Sequence, residues 1–373
     1  MSLEIRAVAS HREIREFIEL PYRLHSTSPQ WIPPLRLERR LFLSRKHNPF
    51  FTHGDARLFL ARRDGRVVGR ISAQINHPFN EVHDNAWGMF GFLEMEDDPE
   101  ATRALLDAAA GWLRARGRDR MIGPMDFTMN DEAGLLIEGF DRDPMIKQPW
   151  QPPYYQPLVE GAGMDKAMDL LMWELEIADR SKVRPILFRL AEEANTKHGV
   201  AVRKMSRRTL RADLDMFADV YNHAWAENWD FVPYSEEDLD ALALEFQLVF
   251  DSNWFMIAEK DGEAIGAAIS VPDINQVLRK MKGRLLPFGW WHYLRRRRTI
   301  DRVRVGFLGV KPEYQYTGAA AQLYIENFDM GAATRCSWGE MGWILETNTA
   351  MNRGMEAMGG RVVKRYRVYE RTL

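Results

Sequence analysis

Two stretches of this chain repeat each other at a fixed distance, and that repeat limits the fold more than any other feature. "LARRDGRVVGRI" (Leu60–Ile71) and "IAEKDGEAIGAA" (Ile257–Ala268) share Ala61 with Ala258, Asp64 with Asp261, Gly65 with Gly262 and Gly69 with Gly266, all offset by 197 residues. Each copy reads as an apolar strand, an Asp-Gly hairpin turn and a return strand. Each is preceded by a strand-like start ("LEIRAVAS"; "GVAVRKM") and a helical stretch. Each is followed by another strand, a helix and further strands. The pattern predicts two copies of one α/β unit, over residues 1–180 and 198–373, with the boundary near 179–197. A length of 373 residues accommodates two domains, and 46% hydrophobic residues supply their cores.

Charge and composition exclude several partners. Lys plus Arg is 51 and Asp plus Glu is 53, a formal net charge of −2. No global basic field favours nucleic acid. The single cysteine, Cys336, allows no internal disulfide and suits a reducing compartment. The N-terminal "MSLEIRAVAS" lacks the apolar segment of a secretory signal, and apolar runs such as "AIGAAISV" are too short to span a bilayer. The expected location is the cytoplasm. The nine histidines show no metal-ligand spacing, so no metal site is expected.

The second copy carries the chemistry. "LRADLDMFADVYNHAW" has apolar residues at helical spacing. "SEEDLDALALEFQLVF" opens on Ser235 with Asp238 three residues later, which signals a capped helix. "VRVGFLGV" is a fourth strand, "AAAQLYIENFDMGAAT" the helix after it and "MGWILETN" a fifth strand. Between the fourth strand and its helix lies Gln315-Tyr316-Thr317-Gly318-Ala319-Ala320. Unpaired N–H groups at a helix start attract anions, and small residues let a phosphate approach them.

That stretch resembles the pyrophosphate-binding loop of the GNAT superfamily, the GCN5-related acyl-CoA N-acyltransferases. Gln315, Gly318 and Ala320 match its pattern of Gln or Arg, two residues, Gly, one residue, then Gly or Ala. The resemblance covers about residues 198–373. It implies an α/β fold with a mixed (α+β) sheet: two GNAT-like units, each a mostly antiparallel, splayed sheet flanked by helices. It also implies acetyl-CoA or a longer acyl-CoA as co-substrate. Residues 315–320 would hold the pyrophosphate. Backbone groups of Leu308, Gly309 and Val310 would pair with pantetheine and supply the oxyanion donor. Asn348 fits the Asn that often ends the fifth strand, and Gly359 fits a later glycine. Met355 stands where many relatives have the Tyr that protonates the leaving thiolate, so another group or solvent must do so. Gly360 replaces an aromatic residue.

The first copy departs further. After its fourth strand, "AWGMFGFLEM", come Glu94, Glu96, Asp97, Asp98 and Glu100, where a pyrophosphate would dock. Like charges so close are unfavourable, so this half is expected not to bind CoA in the usual way. "YYQPLVEGAGMDKAMDLLMWEL" still looks like the late GNAT segment, with Tyr155 near the Tyr position and Gly163-Met164 near Gly-Phe. The arrangement is similar to the unequal tandem halves of N-myristoyltransferases and mycothiol synthases, an analogy of architecture alone.

Acyl transfer to an amine also needs a base, since an amine is protonated near pH 7. In "GEMGWILETN", alternation sets Glu340, Gly342, Ile344, Glu346 and Asn348 on one face. Glu346 is then the candidate base or amine-binding anion, with Glu340 beside it. The competing reading pairs both with arginines such as Arg304, Arg365 or Arg367. Tyr314 and Tyr316 are candidate acids whose plainer role is packing. The acceptor would be a small-molecule amine. Between the third and fourth strands lies "INQVLRKMKGRLLPFGWWHYLRRRRTIDR". It reads as a membrane-surface contact over 286–298, as a cap over a long acyl chain, or, most plainly, as a solvated basic helix end packed by its tryptophans. The alternatives to an enzyme are a non-catalytic acyl-CoA-binding protein and a membrane-surface or scaffold protein.

Overall fold

A computed structural model describes residues 2–226, 228–229 and 231–373. The chain divides into two units that are not contiguous in sequence. Unit 1 holds the residues up to Leu170, with 278–292 and 364–373; unit 2 holds 171–277 and 293–363. The sequence reading placed all of 198–373 in one domain. The difference arises from the insertion and the C-terminal strand, which make their contacts with the first half of the chain.

Unit 1 begins with β1 (Leu3–Ala7), α1 (His11–Leu24), α2 (Arg36–Phe42), α3 (Phe50–His53), the hairpin β2 (Gly54–Arg63) and β3 (Arg66–Asn76), and α4 (His77–Val82). It continues with β4 (Trp87–Met95), α5 (Pro99–Arg114), β5 (Arg120–Gly123), β6 (Leu135–Glu138), α6 (Tyr155–Gly161) and the start of β7 (Asp165–Leu175). Strands β1 to β4 pair antiparallel in sequence order, while β4 and β5 run parallel. The C-terminal strand pairs with β5 and β6. The hairpin turns at Asp64-Gly65, both with positive φ (49° and 82°), as an Asp-Gly turn requires. Leu105, Leu106, Ala109 and Leu113 of α5 bury against one sheet face; Phe17 and Ile18 of α1 join Phe92 and Phe127 in a second core.

Unit 2 follows with α7 (Pro185–Thr196), β8 (Ala201–Lys204), α8 (Leu210–Ala224), α9 (Glu236–Val249), and the hairpin β9 (Phe255–Lys260) and β10 (Glu263–Pro272). The insertion contains α10 (Asn275–Met281), α11 (Gly289–Leu294) and α12 (Arg296–Thr299). Then come β11 (Arg302–Val310), α13 (Ala319–Ala333), β12 (Trp338–Leu345), α14 (Thr349–Ala357) and β13 (Arg361–Thr372), whose last residues belong to unit 1. Strands β8 to β11 pair antiparallel in sequence order, and β12 runs parallel to β11. Ser235 and Asp238 form the anticipated reciprocal cap on α9, each side chain accepting the other's backbone N–H at 3.1 Å. The mixed, splayed sheet with flanking helices is therefore the fold the resemblance implied.

Candidate active site

The opening in unit 2 is set by strand pairing. The ladder between β11 and β12 runs from Arg302 opposite Trp338 to Val305 opposite Met341, and stops there. On its other edge β11 pairs with β10 up to Val310, with a register step that leaves Gly306 without a partner. Such a bulge re-aims the strand. From Gly306 onward β11 is therefore tied on one edge only, and Leu308, Gly309 and Val310 lie in this stretch. A β-carbon on Gly306 would meet only the Ile269 carbonyl oxygen, at 4.0 Å, so the space beside it is open. On the face toward α8, Trp225 packs so closely that a β-carbon on Gly309 would lie 2.3 Å from its ring. Phe307 meets Phe217 and Tyr221 edge-on, with ring centroids 5.1 and 5.9 Å apart. This aromatic wall was missed in the sequence, although the density of aromatics in "VYNHAWAENWDFVPY" is its signal.

The turn at the end of β11 is built as a helix start. Residues 312–317 form a 3-10 turn, and Gly318 then takes φ 80° before α13. A β-carbon there would also lie 2.6 Å from the Leu190 carbonyl of α7, so packing as well as φ requires glycine. The buried Thr317 hydroxyl donates to the Tyr314 carbonyl at 2.6 Å and accepts the Ala319 N–H at 3.3 Å. Gln315 and Tyr316 are exposed, and Ala320 is half-buried. Lys311, just before the turn, is ion-paired with Glu263 (2.7 Å) and Asp219 (2.8 Å). Burial works against its charge, but these two carboxylates outweigh it and raise its pKa.

The two carboxylates of the fifth strand are not equivalent. Glu340 is buried inside the ladder, in register with buried Arg304, whose guanidinium donates to the Gly342 carbonyl. That position suits the structural reading. Glu346 lies in the turn after β12 and is half-buried. The strand expected over 341–348 runs over 338–345, because Glu346 and Thr347 turn and Asn348 caps α14 by accepting the Met351 N–H at 3.0 Å. Simple alternation also breaks at Gly342, whose φ is 150°. Met355 is fully buried in α14. A phenol that touches that helix is Tyr324 of α13, whose hydroxyl donates to Met351 Sδ at 3.2 Å. Burial alone raises its pKa, which keeps it protonated.

Unit 1 has the same strand layout with a different filling. The β4–β5 ladder ends at Met89 opposite Ile122, and β4 carries a register step opposite Ile71. Gly91-Phe92-Leu93 stand four to two residues before the end of β4, as Gly306-Phe307-Leu308 do in β11. Here the chain itself lies against the bulge. The Met125 N–H donates to the Phe90 carbonyl at 2.8 Å, and the Asp126 carboxylate accepts the Phe92 N–H at 2.7 Å. A β-carbon on Gly91 would lie 1.9 Å from the Met125 carbonyl oxygen.

Of the acidic run after β4, Glu96, Asp98 and Glu100 are ion-paired. Glu96 meets Arg23 and Arg66, and Arg63 meets Asp98 and Glu100. Asp98 also caps α5 by accepting the Ala101 N–H at 3.1 Å, so a carboxylate already occupies that helix start. Glu94 is buried on β4, 2.7 Å from both His25 Nε2 and the Tyr155 hydroxyl. Burial raises its pKa, but His25, Arg70 and Tyr155 outweigh that and hold it below the usual value. Among the described residues, no group of three or more His, Cys, Asp or Glu could hold a metal ion, and no helix is long and apolar enough to cross a membrane.

Solved structures share this architecture. A tandem GNAT protein from the clavulanic acid biosynthesis pathway superposes with a TM-score of 0.58 at 13% identity, over 100% of this chain and 98% of that one. A GCN5-related N-acetyltransferase from Sphaerobacter thermophilus does so with 0.53 at 12% identity, over 99% and 95%. The fold is the GNAT fold in a tandem arrangement. Two proteins are similar in sequence along nearly their whole length. The bacterial ceramide synthase of Caulobacter vibrioides is 36% identical over 378 residues, covering 100% of this chain and 98% of that protein. Protein YghO of Escherichia coli K12 is 34% identical over 375 residues, covering 99% and 95%. The chain belongs to the family that contains these two proteins. No protein-family model matches the sequence.

Proposed function

We propose that the protein is an acyl-CoA-dependent N-acyltransferase working from unit 2, and that its acceptor is a long-chain amine. The observation that carries this reading is the open bulge at Gly306 between strands that part, ending in the Gly318 turn. The relative named ceramide synthase supports the substrate class. A ceramide is the fatty amide of a long-chain amino alcohol, so the donor would be a long-chain acyl-CoA. Residues 315–320 would take the pyrophosphate, and the free edge of Leu308–Val310 the pantetheine. The amine attacks the thioester carbonyl in a ternary complex. The C–N bond forms, the C–S bond breaks, and CoA leaves as thiolate.

Glu346 is the group assigned to accept the ammonium proton. Glu340 is assigned to the ladder with Arg304, away from the chemistry. Tyr324 is assigned as the acid that returns a proton to the thiolate, in place of the Tyr absent at Met355. Palmitoyl-CoA and sphinganine test the reading: free thiol should appear with the matching amide, read by mass spectrometry. CoA-dependent thermal stabilisation without thiol release from any long-chain amine would leave a non-catalytic acyl-CoA binder, which the loss of Tyr at 355 otherwise favours.

A further inference from the structure

We infer that residues 284–292, with the neighbouring α2 of the same unit, form a docking surface for a lipid bilayer bearing anionic headgroups. Between Asp273 and Asp301 the sequence holds eight basic residues and no acidic one, in a chain whose net charge is −2. The same stretch exposes its largest apolar side chains. Leu286 and Phe288 are 72% and 74% exposed, and Trp290 and Trp291 44% and 46%. Single exposed apolar residues are ordinary, but a contiguous run of this size marks a binding surface. The two tryptophans are part packed and part in solvent, their rings edge-on with centroids 6.0 Å apart.

The segment is held in this shape. Gly283 sits against Tyr22, Pro34 and Arg36, the Trp290 backbone N–H donates to the Leu285 carbonyl at 2.9 Å, and its indole N–H donates to the Pro287 carbonyl at 2.7 Å. A stiff loop that presents Leu, Phe and Trp loses little conformational freedom on docking. Arg36, bonded to the Gly283 carbonyl, begins α2, which exposes Leu37 and Leu41 one turn apart, with Arg40 beside them. Apolar side chains at the acyl boundary, aromatics at headgroup level and exposed Arg40, Lys282 and Arg284 on phosphates are the combination an anionic interface binds. Charge selects the bilayer over a second copy of the chain, because identical basic faces repel one another.

The test needs no substrate, so its failure leaves the acyltransferase reading untouched. The full chain is sedimented with vesicles of phosphatidylcholine mixed with phosphatidylglycerol, and with pure phosphatidylcholine. It should pellet with the mixed vesicles, weakly with the neutral ones, and less as salt rises. The double variant Leu286→Ser/Phe288→Ser should lose at least about tenfold in partitioning at unchanged melting temperature, since both side chains are exposed. Lys282→Gln/Arg284→Gln should lose the preference for mixed vesicles. Three outcomes overturn the inference: no pelleting of the parent chain, parent-like pelleting of both variants, or vesicle-independent dimerisation in the ultracentrifuge that the first variant abolishes.

Discussion

The two units offer the same slot and treat it in opposite ways. Both fourth strands carry Gly-Phe-Leu at a bulge, and both part from the fifth strand at that level. In unit 2 the glycine faces open space. In unit 1 the chain at Met125–Asp126 fills the equivalent place and satisfies the bulge with its own polar groups, while Gln74 donates to the Met125 carbonyl at 2.7 Å. The tyrosines divide the other way. In unit 1 the Tyr155 hydroxyl, expected near the family's tyrosine position, is committed to Glu94 and to the Met95 N–H. Unit 2 keeps the slot and has Met355 there. A splayed sheet edge must be satisfied by something. In unit 1 the chain supplies that partner at Phe92; in unit 2 the β11–β12 ladder stops at Val305, and the edge beyond it is the one our proposal gives to CoA.

The largest expected effect is at the turn of unit 2. Ala320→Glu sets a carboxylate at the start of α13, a position that favours acids in a helix and so spares the fold. Against a pyrophosphate the same charge is repulsive. Affinity for CoA should fall by roughly two to three orders of magnitude, taking an effective dielectric near the protein surface. Titration calorimetry should give one site per parent chain and none in the variant. A second site, surviving in the variant, would break the contrast between the units. Glu at 318 is a poorer probe, because φ and the Leu190 carbonyl would unfold the turn first. Next comes Glu346→Gln, which keeps the shape and removes the base. Turnover should fall about a hundredfold, and less at high pH, where the acceptor amine is already free. Parent-like turnover across the pH range would make Glu346 a structural residue.

Much of this was legible because it is local. The Asp-Gly hairpins, the cap at Ser235 and the small-residue turn at Gly318 are each fixed by a few adjacent residues. What escaped depends on pairs distant in sequence. The Gly-Phe-Leu repeat lies at an offset different from that of the hairpins, because the insertion before β11 lengthens the second copy, so it does not align by eye. The filling of the first slot by Met125–Asp126 follows from no periodicity. The membership of 278–292 in unit 1 rests on contacts such as Gly283 against Tyr22. The acidic residues after β4 were read as repelling phosphate in their own right. Their arginine partners come from β2, β3 and α1, and only the cap by Asp98 retains the original logic at the helix start.

The shared glycines allow a reciprocal test. Gly91→Ala drives a methyl into the Met125 carbonyl and should cost roughly 1–3 kcal/mol of stability, as overpacking does. CoA affinity of the folded fraction should stay unchanged. Gly306→Ala has room and should leave the melting temperature alone while weakening CoA binding several-fold. If both substitutions act on stability and neither on binding, the open space beside Gly306 is not a ligand slot.

The smallest effect concerns the carboxyl that fills the first slot. Burial, reinforced by the nearby Glu132, pushes the Asp126 pKa from 3.8 up to about 8, although the Phe92 N–H, Arg39 and Arg70 oppose it. A folded pKa above the unfolded one contributes stability that is fully present below pH 3.8 and is lost as pH rises through about 8. Asp126→Asn still offers an oxygen to the Phe92 N–H but cannot ionise. Its melting temperature should therefore match the parent's in acid and exceed it by a growing margin toward pH 8. Some slope should persist, because Glu132 is shifted in the same direction by burial and remains in the variant. CoA affinity at pH 8 should be identical in the two proteins if the carboxyl serves only the filled slot of unit 1. Parallel melting curves across this range would mean that Asp126 ionises normally and that the slot is closed by packing alone. A change in CoA affinity would mean that the two slots are coupled, and the contrast between scaffold and site would fail.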